Sequence, residues 1–140
     1  MIIPADIHTH CQPEVPGEAI VNCFPETFVP QQEGWYSVGI HPWYITSTVS
    51  VAEKKRCLEE LLYHPQVLAI GEAGLDKLAD ASLPLQREVF EYQARLAEET
   101  DKPLVIHLVK AVDELLKLKQ KIRPVKPWII HGFRGKAVLA

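Results

Sequence analysis

From residue 35 onward the chain alternates short apolar runs with amphipathic helical segments, and few folds accept that order. Residues 35–40, 66–71, 104–106 and 128–130 read as strands, and helical periodicity fills the gaps between them. Val67, Leu68, Ala69 and Ile70 are apolar without alternation, as in a strand covered on both faces. Strand, helix and strand in succession imply right-handed crossovers and a parallel sheet. Two further apolar runs, residues 2–10 and 19–24, precede this pattern. No repeat of fixed period and no low-complexity tract divides the 140 residues, so a single domain over 1–140 is expected.

The helices carry their own punctuation. Ser50-Val51-Ala52-Glu53 fits a capping box and predicts a start at Ser50, with Val51, Leu58, Leu61 and Leu62 inward. His64-Pro65 ends that helix, since the residue before proline is pushed out of the helical region. Ser82 opens the longest helix, about 84–100, with Leu85, Val89, Tyr92 and Leu96 on its apolar stripe. A third, ending near Ile122, should turn Val112, Leu115, Leu116 and Ile122 inward. Residues 136–140 read as the beginning of another helix.

Chemistry-bearing residues follow the apolar runs. In an extended strand His8 and His10 share one face, one pleat apart, and can both ligate one ion. His41, Glu72, His107 and His131 each stand directly after, or one residue after, a further run. In a parallel α/β sheet functional groups gather at the C-terminal ends of the strands. Five of six strand ends bearing such a residue is a coincidence that a metal centre explains. Imidazoles with a carboxylate suit zinc, manganese or similar divalent ions, and a carboxylate can bridge two of them. Two ions about 3.5–4 Å apart can activate water and steady a phosphoryl oxygen together. His64, at a helix end away from that edge, is expected to be a solvent-exposed side chain.

Composition narrows the partners. A net charge of −3 gives no support for gripping nucleic acid through the overall field, although a substrate held locally remains compatible. Cys11, Cys23 and Cys57 form no C-x-x-C pair, which argues against a disulfide framework and a cysteine zinc knuckle. The N-terminal apolar run is far too short for a signal peptide or membrane span, so no membrane partner and a cytoplasmic location are expected.

Five motifs occur in order: Asp6-Ile7-His8-Thr9-His10, Gly39-Ile40-His41-Pro42, Gly71-Glu72-Ala73-Gly74-Leu75-Asp76, Val105-Ile106-His107 and Ile130-His131-Gly132-Phe133-Arg134-Gly135. Together they resemble the TatD-type metal-dependent deoxyribonucleases of the amidohydrolase superfamily. The resemblance implies a (β/α) TIM-type barrel, two divalent metal ions (Zn, Mg or Mn) and phosphodiester hydrolysis of DNA. By position, His8 and His10 would hold one metal, Glu72 would bridge and serve catalysis, and His107 and His131 would hold the second. His41, Trp43, Asp76, Lys110 and Arg134 would line the substrate side. Asp76 either orients a ligating His or water, or caps its loop.

The chain departs from the family pattern in several places. Trp43 stands where many members have a second His, and either stacks on a base or packs. Leu108, Val109 and Lys110 follow His107 where members carry an Arg, so a phosphate contact there would be a point charge. The helices usual after the first two strands are missing. A full barrel takes about 250 residues. The expected form is therefore an incomplete barrel of about six parallel strands, open rather than closed, truncated before the family's last metal-binding Asp. Open edges would favour self-association. Alternatives to a nuclease are a hydrolase of a small phosphoester or amide, and a non-catalytic metal-binding remnant lacking that Asp.

Overall fold

The computed structural model of the chain describes residues 6–9, 19–46, 48–131 and 138–139. Seven strands form one sheet in sequence order: β1 (Asp6–Thr9), β2 (Ala19–Cys23), β3 (Trp35–Val38), β4 (Val67–Asp76), β5 (Leu104–Val109), β6 (Trp128–His131) and β7 (Val138–Leu139). The first six run parallel and β7 pairs antiparallel with β6. Among the described residues β1 pairs with β2 alone, so the sheet is open, an incomplete barrel of six parallel strands as expected.

Three helices cross between strands: α1 (Thr48–Leu61), α2 (Leu83–Glu99) and α3 (Val112–Ile122). The connection from β2 to β3 holds a single 3-10 turn at Pro25–Thr27, in keeping with its broken, proline-containing sequence. Leu58, Val89, Phe90, Ala94, Ala97 and Leu115 press onto Ile70, Leu75, Ile106 and Trp128 of the sheet. Phe90 meets Trp128 edge to face at 5.3 Å, a geometry that adds to simple area burial.

The structure differs from the sequence expectations in instructive places. α1 begins at Thr48, so Ser50 lies inside its first turn rather than capping it. Thr46, Ser47, Thr48 and Ser50 are all capping types, and the local signal was degenerate. On α3, Val112 and Leu116 are exposed while Leu115 and Leu118 are buried, which sets the apolar stripe one step round the helix. Residues 138–139, expected to open a helix, instead hydrogen-bond along β6, whose edge would otherwise leave its backbone groups unpaired. His64 is half-buried, its ring edge-on to Phe28 at 5.2 Å and its Nδ1 accepting from the Gln66 N–H.

β4 and β5 are longer than their apolar cores suggested. β4 continues through Glu72 to Asp76, paired with β5 as far as Val109. Gly71 and Gly74 permit close strand approach. A Cβ on Gly74 would lie 1.9 Å from the His107 carbonyl oxygen, and one on Gly71 would lie 2.6 Å from that of Val105. The register shifts between Ile70 and Ala73, and both of these join the core under the helices although they are three residues apart. Strict alternation would send them to opposite faces. The irregularity turns Glu72 away from the helices, toward the side where His41 lies.

Candidate metal centre

The site is built on the C-terminal ends of β3, β4 and β5. His41 follows β3 and caps the 3-10 turn Pro42–Tyr44, its Nδ1 accepting from the Trp43 N–H at 3.1 Å. A neutral His41 therefore carries its proton on Nε2, which lies 3.7 Å from Glu72 Oε1. Glu72 is 3% exposed. The carbonyl before it, on Gly71, accepts from the Asn22 side chain of β2, which also donates to Ser37 Oγ. A buried amide thus fixes the peptide that delivers the carboxylate.

His107 stands opposite Gly74 on the neighbouring strand. Its Nε2 lies 2.8 Å from Asp76 Oδ2, and the Trp43 indole N–H donates to that same oxygen. Asp76 Oδ1 accepts from the Leu78 N–H at 2.8 Å. Burial alone would push the Asp76 carboxyl up. The bonds from His107, Trp43 and Leu78, with the His107 charge, outweigh it and hold the group below the usual carboxylate range. Asp76 is thus an anion aimed at His107, the arrangement by which a carboxylate fixes the orientation and basicity of a ligating imidazole.

Ligand atoms of His41, Glu72 and His107 all lie within 4.8 Å of one another. Among the described residues this is the set of three that could hold an ion. Imidazole and carboxylate donors suit zinc, manganese or a similar divalent cation, and Glu72 and His107 supply them here, with the N–H of His41 beside them. The ring of His41 sits 4.5 Å from that of His107, and Trp43, 60% exposed, stands edge-on to both.

The other residues singled out from sequence fall as follows. His131 is the register partner of His107, is exposed, and lies outside the group of three. His8 lies on β1, and no side-chain position is described for it; His10 and Arg134 lie outside the described residues. Lys110 is exposed just beyond β5, with a left-handed φ of 56°. His41 was expected to line the substrate side, and it lies with Glu72 and His107. Sequence reasoning missed Asn22, Gln86 and Gln93, polar residues buried in or beside apolar runs. A lone amide in such a run was the signal.

A parallel barrel segment with imidazoles and carboxylates gathered at its C-terminal edge defines the class: a (β/α) fold of the metal-site kind. The chain belongs to the TatD related DNase family, whose model matches residues 26–140. It is 32% identical over 120 residues to the human 3'-5' RNA nuclease TATDN2, covering 84% of this chain and 15% of that protein. It is 35% identical to the uncharacterized metal-dependent hydrolase YabD of Bacillus subtilis, covering 70% and 40%. The 3'-5' ssDNA/RNA exonuclease TatD of Edwardsiella piscicida is 32% identical, with 72% and 39% covered. The crystal structure of YJJV, a TatD homolog from Escherichia coli K12, superposes with a TM-score of 0.68 at 27% identity. That match covers 86% of this chain and 50% of YJJV. The chain thus spans from 15% to 40% of these three relatives and half of the solved structure. Among the described residues no helix is long and apolar enough to cross a membrane.

Proposed function

We propose that the chain carries the metal centre of a hydrolase that cleaves phosphodiester bonds of DNA or RNA with two divalent ions. The observation that carries this reading is the convergence of His41, Glu72 and His107, with Asp76 behind His107. The names of the relatives, metal-dependent hydrolase and 3'-5' ssDNA/RNA exonuclease, support it.

Glu72 and His107 would hold a cation, and Glu72 is the group able to bridge to a second. The family resemblance adds His8, His10 and His131 as further ligands. When bound, the cations would supply an acidified water and polarisation of the phosphoryl oxygen. With Nε2 of His107 engaged by Asp76, Nδ1 is the nitrogen left to ligate. His41, accepting at Nδ1 and with its proton on Nε2, has no nitrogen left to ligate; its N–H faces Glu72 Oε1 at 3.7 Å and would act on the ion by orienting that carboxylate. Trp43 offers an exposed ring face beside the site, and an unpaired base stacks well on such a face. Lys110 adds a positive charge on the same edge.

The test is titration of the chain with Mn2+ or Zn2+, followed by hydrolysis of a single-stranded DNA oligonucleotide and of bis(p-nitrophenyl) phosphate. Saturable binding and metal-dependent release from the oligonucleotide are expected. Glu72→Gln should cut both affinity and rate by more than about a hundredfold, beyond the usual effect of an outer-sphere partner. Hydrolysis of the small diester alone would move the substrate class away from nucleic acid. Tight binding without turnover of either would reduce the chain to a metal-holding module.

A further inference from the structure

Helix α2 meets the sheet with two glutamines that its hydropathy pattern does not explain. Gln86 and Gln93 are seven residues apart, two turns, and so share one face of the helix. They are 1% and 0% exposed, in the same helix face as Val89, Phe90, Ala94 and Ala97. Burying a primary amide is unfavourable unless its donors and its acceptor are used. Here they are. Gln93 Oε1 accepts from the Ile40 N–H at 2.8 Å, while Nε2 donates to the Ile40 carbonyl at 3.1 Å and that of Val89 at 3.4 Å. Gln86 Oε1 accepts from the Asp76 N–H at 2.8 Å, while Nε2 donates to the carbonyls of Asp76 at 3.0 Å and Ala81 at 2.8 Å.

Each side chain therefore closes a two-bond ring on the peptide groups of one residue, as an adjacent strand would. The two residues gripped are not arbitrary. Ile40 immediately precedes His41, and Asp76 carries the carboxylate bonded to His107 and Trp43. A leucine or methionine at 86 and 93 would fill the same core volume without the burden of desolvating an amide. What the amides add is a fixed attachment of both strand ends to one rigid rod, at points about 10 Å apart along the helix.

We propose that Gln86 and Gln93 are positioning residues, and that α2 is the spacer setting His41 against the Asp76–His107 pair. The inference rests on the metal-centre reading above. Metal affinity should then depend on these two amides beyond whatever they contribute to stability.

The experiment compares Gln86→Met and Gln93→Met with Leu118→Ala, a core truncation on α3 outside the candidate metal group. Unfolding midpoints and Mn2+ or Zn2+ affinity, by competition with a chelating dye, are measured on the full chain. Both glutamine variants should lose about tenfold or more in metal affinity, the scale of an outer-sphere partner. Leu118→Ala should bind metal normally even where it unfolds at a lower midpoint. If a Met variant does not fold, Glu at that position keeps size and acceptor, and the same comparison is read there. Unchanged affinity in the folded glutamine variants, with Glu72→Gln binding abolished, would overturn this inference alone. Unchanged affinity in Glu72→Gln as well would overturn the metal-centre reading, and this inference with it.

Discussion

β4 and β6 each bring a candidate ligand to the same edge of the sheet, yet they hold it very differently. Glu72 and Asp76 on β4 are 3% and 1% exposed, and β4 is paired with β3 on one side and β5 on the other. Asn22 and Gln86 take up the peptide groups at Gly71 and Asp76. β6 is four residues long, its last residue His131 is exposed, and its outer neighbour β7 has two residues. Residue type and strand position suffice to bring a group to the edge. Burial among satisfied neighbours is what fixes it to the tolerance that catalysis demands.

The contrast can be broken or sharpened by four substitutions. Gly74→Ala should do the most damage, because the new methyl would sit 1.9 Å from the His107 carbonyl. Separating β4 from β5 should remove about 3 kcal/mol of stability and with it most metal binding, read by denaturant unfolding and titration. Asp76→Asn keeps the shape but loses the anion facing His107, and should weaken metal affinity by about 10- to 100-fold. His131→Ala, at the exposed end of β6, should weaken affinity by about tenfold or less, near 1.4 kcal/mol. A loss there equal to that of Glu72→Gln would erase the distinction between the two strands. Smallest should be Trp43→Phe, which keeps a ring face but loses the N–H on Asp76. A rise of about threefold in KM for single-stranded DNA is expected, the scale of one weak hydrogen bond.

Much of this is legible in the sequence alone. The parallel sheet from the third strand onward followed from apolar runs alternating with helical periodicity, and the incomplete, open barrel from the family resemblance set against 140 residues. His8, His10, His41, Glu72, His107 and His131 were expected together at the edge where parallel strands present their C-terminal ends; of these, His41, Glu72 and His107 converge among the described residues. The lengths of β4 and β5 were not legible. β4 runs on past Gly71 with the β5 backbone close against Gly71 and Gly74, a contact that no local signal carries. The role of Gln86 and Gln93 was not legible for a related reason: each fits an ordinary helix, and its partner lies 10 or 53 residues away. The inward face of α3 failed because Val112, Leu115 and Leu116 compete locally for one stripe, and only contact with the sheet chooses among them.

By itself, then, the sequence determined the fold family, the parallel order of the strands and which residue types reach the functional edge, since these depend on period and polarity carried by neighbouring residues. Only the tertiary structure decided that Asp76 serves His107, that Asn22 and two glutamines hold the strand ends, and that Glu72 turns toward His41. Those outcomes depend on hydrogen bonds and close contacts between residues far apart in sequence, whose formation is set by where whole strands and helices come to lie.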